Sequence, residues 1–315
     1  MRIVITGATG FIGRNLVSLF LEKGEEVFAV VRPKSEGLRL LPTHPNLHLV
    51  YGSLETIREL SGQISRADAF FHLAWGGVNR EEIDSPAVQA ANVAGSLDCL
   101  RTAKELGCTV FMDAGSRVEY GRTDGLMTET LDCHPINEYG KAKWEFYQKA
   151  APLAKELGIH YFHLRFFSVY GWGDHPWSII STLVRELPKG ETVSLSACMH
   201  RWNFMYIADA AEAVWQLYES LRKREKGEPA SAIVNVAGED TRVLRSFVEE
   251  IHRITGEKGR LEYGSFVQAK EGALSVCPDV SRLKELTGGF VERYTFEQGI
   301  REMLRCAKER ETENR

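Results

Sequence analysis

A chain of 315 residues is long enough for one large α/β unit, or for two lobes around a sizeable core. Its 39 lysines and arginines nearly balance 43 aspartates and glutamates, a formal net charge of −4, which excludes the basic signature of a nucleic-acid or anionic-membrane binder. No apolar run reaches the roughly 18 residues of a membrane span, and the six cysteines, at 99, 108, 133, 198, 277 and 306, form no C-x-x-C pair; they read as reduced thiols of a cytoplasmic protein, and no metal site is expected.

Residues 1–6 are an apolar run without the charge pattern of a signal peptide, and they read as a buried parallel strand. Gly7-Ala8-Thr9-Gly10-Phe11-Ile12-Gly13 follows at once, and residues 14–23 then carry helical spacing with Leu16, Leu19 and Phe20 on one side. Strand, glycine turn and helix is the setting a dinucleotide fingerprint needs. Gly7 permits the tight turn, Gly10 lets backbone approach a pyrophosphate, and Gly13 lets the helix pack closely on the sheet. The helix start offers free N–H groups and the positive end of its dipole.

Further apolar runs at 27–31, 47–50, 69–73, 110–112 and 160–164 predict strands, with helices between them over 88–106 and 137–157. This alternation implies an α/β, Rossmann-type doubly wound parallel sheet. The pattern turns irregular over 171–200, returns to a helix over 209–222, passes a charged loop at 224–228, and has another helix near 245–254. Residues 1–170, with 203–236 returning to them, are expected to form the dinucleotide-binding domain; 171–202 and 237–315 are expected to form a smaller substrate-binding lobe. The charged end over 308–315 is expected to fray.

Tyr139 and Lys143 lie four residues apart on the helix predicted over 137–157, so their side chains share a face. A phenol ordinarily ionises near pH 10. A neighbouring ammonium favours the phenolate, which makes such a tyrosine a usable acid/base at neutral pH. Ser116 stands 23 residues before Tyr139 and five before Gly121.

Taken in order, these motifs resemble the extended short-chain dehydrogenase/reductase family, in its branch of nucleotide-sugar epimerases, dehydratases and 4-ketoreductases. The resemblance rests on the G-x-x-G-x-x-G turn, Phe71-His72-Leu73-Ala74-Trp75, Asn92-Val93-Ala94-Gly95, the segment from Gly115 to Gly121, Leu164-Arg165-Phe166-Phe167-Ser168-Val169-Tyr170-Gly171, and Arg201-Trp202-Asn203-Phe204-Met205-Tyr206-Ile207-Ala208-Asp209. The last is similar to the family's Arg-Asp-Phe-x-Tyr-Val-x-Asp. The resemblance implies that Tyr139 exchanges a proton with a sugar oxygen, that Lys143 lowers the pKa of Tyr139 and holds the nicotinamide ribose, and that Ser116 hydrogen-bonds the reacting carbonyl. It assigns the dinucleotide to Gly7, Thr9, Gly10, Phe11, Ile12 and Gly13 of the turn, then to Arg32, Ser53, Leu54, Leu73, Ala74, Trp75, Asn92 and Phe166, together with Tyr139 and Lys143. Ser116, Arg117, Ser168, Arg201 and Lys270 fall on the substrate side, with Arg201 gripping a pyrophosphate. His72 is expected to be a packing residue, and Trp172, Trp177 and Trp202 either stack on the ligand or fill the lobe.

Where this sequence departs from the family, the reaction narrows. Val31 and Arg32 follow the second strand in place of the acidic residue that accepts the ribose hydroxyls of NAD, and a guanidinium there suits a ribose phosphate; NADP(H) is therefore favoured and NAD(H) is the alternative. Ser53 stands where an acidic residue usually meets the adenine. The dehydratases follow the serine or threonine with Asp-Glu, whereas Arg117 and Val118 stand here, so water elimination is not expected. The expected reaction is reduction of a nucleotide-linked 4-keto-6-deoxyhexose, as in deoxysugar biosynthesis; 4-epimerisation of a nucleotide sugar is the alternative, and reduction of a non-nucleotide ketone a further one. A homodimer through a four-helix bundle of the 88–106 and 137–157 helices is a family expectation.

Overall fold

A computed structural model describes residues 1–79, 81–224, 228–265 and 275–313. Seven strands form one wholly parallel sheet: β1 (Arg2–Thr6), β2 (Glu26–Val31), β3 (Leu47–Tyr51), β4 (Ala69–His72), β5 (Val110–Ser116), β6 (His160–Phe166) and, returning late in the chain, β10 (Ser231–Val236). Their order across the sheet is β10-β6-β5-β4-β1-β2-β3. The chain winds outward from β1 in both directions, so the sheet reverses between β1 and β4. Ligands of open α/β sheets bind beyond the strand ends at such a reversal.

The strands are apolar on both faces because helices cover both. On one face α1 (Phe11–Glu22) and α5 (Ile207–Arg222) bring Leu16, Phe20, Val214 and Leu217 against Ile3, Ile5 and Phe71. On the other, α2 (Pro86–Glu105) and α3 (Glu138–Leu157) bring Leu100, Ala103, Phe146 and Ala150 against Val4, Phe70 and Phe111. Each buried Leu, Ile, Val or Phe among them contributes about 1.5–3 kcal/mol on leaving water. This double cladding holds the strand ends, and hence the site residues on them, at fixed positions.

The remaining elements gather around a third apolar cluster. A three-stranded sheet joins β7 (Ser168–Tyr170), β9 (Arg201–Tyr206) and β11 (Thr241–Val243), and a parallel pair joins β8 (Thr192–Leu195) to β12 (Arg260–Tyr263). Leu183 of α4 (Ile179–Glu186), Phe204, Phe247 and Ile251 of α6 (Leu244–Ile254), and Ile300 and Met303 of α8 (Phe296–Glu313) fill the cluster. The short helix α7 (Ser281–Thr287) buries Leu283 against the α1/α5 layer instead.

Two ordered elements occupy the stretch that reads as irregular over 171–200. Helix α4 is only two turns long, capped by Ser178, whose hydroxyl accepts from Ser181 N, so its periodicity is too brief to register. Strand β8 pairs with a partner far down the chain, Thr192 opposite Arg260, and has no local signature. Strand β9 straddles the expected boundary at 202/203. The charged end continues as helix to Glu313, laced by Glu297–Arg301 and Arg305–Glu309 pairs one turn apart, both 2.6 Å. Part of the charged 224–228 loop lies outside the described residues. No described helix is long and apolar enough to cross a membrane.

Candidate active site

The glycine turn sits at the sheet reversal. Gly7 has φ +68°, and a Cβ on it would lie 2.6 Å from the Leu73 carbonyl carbon at the end of β4. A Cβ on Gly13 would lie 2.1 Å from Gly7 O. Both positions therefore exclude any side chain. Gly10 differs: a Cβ there would meet only Gly7 O, at 3.2 Å, and otherwise project into open space at the N-terminus of α1. That open face over free helix N–H groups fits a dinucleotide pyrophosphate. Gly37 keeps a short 3-10 turn close against Thr9, and the Ser35 hydroxyl donates to Thr9 Oγ1 at 2.8 Å. Phe11 and Ile12 open the helix, and Phe11 packs beside Gly171, so the turn also abuts the loop after β7.

The loop after β4 is tied down by side chains of α2. Asn92 both accepts from Gly76 N and donates to Gly76 O, each at 2.9 Å, while Trp75 Nε1 donates to Gln89 Oε1 at 2.8 Å. Leu73 N donates to Thr6 O, and Ala74 N to Thr6 Oγ1. His72 is fully paired, with Thr6 Oγ1 and Ser96 Oγ each 2.8 Å from its ring nitrogens. Burial, and secondarily the Lys143 charge, pull its pKa down to about 3, so it is a neutral core residue. Gly95 admits Leu54, whose Cβ would clash with any side chain there.

Tyr139, Lys143 and Ser116 converge at the ends of α3 and β5. Asn137 caps α3, its side-chain oxygen accepting from Gly140 N at 2.8 Å, and this sets Tyr139 in the first turn with Lys143 one turn on. The Lys143 ammonium donates to Ala114 O at 2.7 Å and lies 3.6 Å above the Trp75 ring. The Trp75 and Tyr139 rings meet edge to face at 6.2 Å. Burial lowers Lys143 to about 8, against the opposing pull of Asp113 and Glu119. Burial raises Tyr139 to about 12, offset in part by the neighbouring Ser116 hydroxyl. Lys143 Nζ stands 5.8 Å from the Tyr139 ring centre and is committed to Ala114 O, so in this arrangement desolvation outweighs any lowering of the phenol by the ammonium.

Behind Ser116 lies a buried charged network. His163 Nδ1 is 3.0 Å from Asp113 Oδ2 and its Nε2 is 2.9 Å from Glu119 Oε2; Arg165 Nε donates to the same Glu119 oxygen at 2.8 Å. Glu119 Oε1 accepts from Ser116 N at 2.6 Å, and Ser116 Oγ accepts from Val118 N at 3.4 Å. Burial opposes every charge here. The two carboxylates nonetheless hold His163 at about 9, and His163 with Arg165 brings Glu119 to about 2. Two cations and two anions thus balance out of water, and their fixed geometry positions the backbone of Ser116. Gly115 is required there, since a Cβ would meet His163 Nε2 at 2.4 Å. Ser116-Arg117-Val118-Glu119 is a capping-box sequence, the signal that would have found Glu119; the charged partners in β5 and β6 carry no such local sign.

Other expected site residues are placed less centrally. Arg32 is exposed just beyond β2. Ser53 donates to Glu55 at 2.5 Å, and this bond, with Arg32 nearby, holds the Glu55 carboxyl below its usual range. Phe166 is buried at the end of β6, and Ser168 opens β7, opposite Phe204. Arg201 is exposed and donates to Thr241 O at 2.6 Å. Counting back from Asp209, the arginine of the resembled segment falls on Trp202, the residue after Arg201. Trp202 carries the Arg117 guanidinium on its ring, 4.8 Å from centre to carbon. Trp172 has a cation near its ring in Arg310, and Trp177 is exposed against His175. Lys270 lies outside the described residues.

A family model described as NAD dependent epimerase/dehydratase family matches residues 3–237, which span the glycine turn, the Ser-Tyr-Lys group and all of the parallel sheet but Arg2. The chain belongs to that family. A dTDP-6-deoxy-L-talose 4-dehydrogenase (NAD(+)) of Aggregatibacter actinomycetemcomitans is 28% identical over 284 residues, covering 88% of this chain and 98% of that protein. An uncharacterized UDP-glucose epimerase, YtcB, of Bacillus subtilis is 24% identical over 306 residues, covering 91% of this chain and 92% of that one. Among solved structures, MoeE5 in complex with UDP-glucuronic acid and NAD superposes with a TM-score of 0.84 at 26% identity, over 98% of this chain and 100% of that one. This is accordingly an enzyme of the nucleotide-sugar branch, with the NAD-binding Rossmann architecture of its relatives.

Proposed function

We propose that this enzyme moves hydride between a nicotinamide cofactor and C4 of a nucleotide-activated hexose, as a 4-ketoreductase of a nucleotide 4-keto-6-deoxyhexose. The convergence of Ser116, Tyr139 and Lys143 below the open face of the glycine turn carries this reading. A bound nicotinamide supplies the hydride. Tyr139 donates its phenolic proton to the C4 oxygen as that oxygen gains charge, and the Ser116 hydroxyl donates a hydrogen bond to the same atom. The Lys143 ammonium stabilises the phenolate left behind. Arg117 and Val118 stand where the family's water-eliminating enzymes carry an acid pair, which favours reduction over dehydration. The talose 4-dehydrogenase relative, matched over 98% of its length, supports chemistry at C4.

NADP(H) is the cofactor this reading favours, with Arg32 clamping the ribose phosphate. The carboxylate of Glu55, close enough to Arg32 for the charge to matter, works against a second phosphate and favours the alternative, NAD(H). With the relative named as a UDP-glucose epimerase, it also supports the second reading, a nucleotide-sugar 4-epimerase that returns hydride to the same sugar. Pairs of chains joined through α2 and α3 complete the proposal.

Purified protein mixed with NADPH or NADH and a panel of nucleotide 4-keto-6-deoxyhexoses is expected to consume reduced nicotinamide, faster with NADPH. Conversion of a nucleotide sugar to its C4 epimer without added cofactor would establish the second reading instead. Turnover of simple ketones, with none of any nucleotide sugar, would reject both.

A further inference from the structure

Arg117 stands one residue beyond Ser116, at the start of the short 3-10 turn that the capping box closes. Its guanidinium carbon lies over the Trp202 ring at 4.8 Å, and the His200 ring meets the same indole edge to face at 5.2 Å. Among the described residues it makes no hydrogen bond and no ion pair. The carboxylate nearest in sequence, Glu119, is committed to His163, Arg165 and Ser116 N. Arg165, the other guanidinium in this region, is fully buried; its Nε donates to Glu119 and its Nη2 to Cys133 Sγ, while its Nη1 has no partner. Desolvation alone pulls Arg117 down to about 10, with no anion holding it up; burial, and secondarily the Arg117 charge, lowers His200 from its ordinary value. A partly buried fork of N–H donors without an acceptor is an arrangement that persists where a ligand supplies the acceptor.

We infer that Arg117, braced on Trp202, binds an oxyanion of the sugar nucleotide. The inference rests on the nucleotide-sugar reading and adds to it the residue that holds the anion. Arg201, expected from the motif to take the pyrophosphate, is exposed and bonded to Thr241 O, so β9 presents an indole to the site in its place. The Arg117 cation arrives on that indole from the opposite element. Two groups of a sugar nucleotide have the required chemistry: the pyrophosphate, present in every such substrate, and a carboxylate on the sugar, present only in uronic acids. Both accept a bidentate guanidinium.

Calorimetric titration of the cofactor-saturated enzyme with a nucleoside diphosphate, its neutral hexose conjugate and its hexuronic acid conjugate separates the sources. If the pyrophosphate is held, R117M weakens all three by about 10- to 100-fold. If a sugar carboxylate is held, R117M weakens the uronic acid conjugate alone by that factor. Unchanged affinity for all three ligands, with the melting temperature retained, overturns the inference. Should R117M fail to fold, R117K is read instead, since it keeps the charge and loses the fork; it is expected to weaken the same ligands several-fold, and equal affinity overturns the proposal. A wild-type enzyme that binds the cofactor but none of the three ligands refutes the nucleotide-sugar reading itself, and the inference with it.

Discussion

An ammonium stripped of water gives up its proton more readily, and Lys143, buried and lowered to about 8, meets that condition one helical turn from Tyr139. The sign of the consequence differs with direction. In the proposed reduction the Tyr139 proton is consumed and a phenolate is left, which a charged Lys143 supports and a neutral one does not. Tyr139, raised to about 12, stays protonated throughout this range, so Lys143 alone sets the limb. The reduction rate is therefore expected to be highest below pH 8 and to fall as pH rises through about 8. The reverse oxidation needs the phenolate at the start and should rise with pH before Lys143 loses its charge. Lys143→Arg, whose cation persists above pH 12, is expected to slow both directions and to remove the alkaline limb of reduction. A limb that stays near pH 8 in that variant would assign it to another group. Stability shifts the opposite way: a lysine whose folded pKa lies below its unfolded value near 10.5 costs stability below about pH 8, and that cost is shed as pH rises from 8 to 10.5.

At the scale of the element, the first strand, glycine turn and helix form one device in which three glycines have separable duties. Gly13→Ala would force a Cβ to within 2.1 Å of Gly7 O and push α1 off the sheet, so it is expected to lose about 1–3 kcal/mol of stability along with cofactor affinity. Gly10, with φ −74° and ψ 172°, sits in a conformation any residue adopts and has open space before it. Gly10→Ala should leave the melting temperature within about 2 °C yet weaken dinucleotide binding by at least tenfold. Calorimetry and cofactor titration on the two variants check the division; equal destabilisation by both would show that Gly10 is a packing residue. This device was legible because its logic is local: spacing, a strand before and a helix after. The pair Tyr139 and Lys143 was legible for the same reason, being one helical turn apart. The Asp113–His163–Glu119–Arg165 network was not, since its members are spread over two strands and a turn, and a histidine within an apolar strand looks the same whether paired or not. The neutral His72 and charged His163 make the point: each lies in a buried strand, burial pulls both down, and only His163 is flanked by two carboxylates, Asp113 and Glu119, that raise it again.

At the scale of the whole molecule, α2 and α3 cover one face of the sheet while bringing Asn92, Tyr139 and Lys143 to its edge, so anything that clamps their outer surface also steadies the site. The outer side of α2 carries Ala87, Ala90, Ala91 and Ala94, exposed and spaced at helical intervals, where a second helix can approach to a short interaxial distance. The outer side of α3 is charged, with Lys141, Glu145 and Lys149 in exposed ion pairs that contribute little to stability on their own. A symmetric pairing of two chains through these helices is expected, and Ala91→Glu with Ala94→Arg is expected to break it by adding bulk and charge to the small-residue face. Sedimentation velocity should show the wild type as a dimer and the double variant as a monomer. Because both sites lie on the solvent side of α2, the monomer should keep its secondary structure while losing part of its turnover through looser placement of Asn92 and the β4 loop. A wild type that sediments as a monomer at enzyme-assay concentrations, or a double variant that stays dimeric, would move the interface away from these helices.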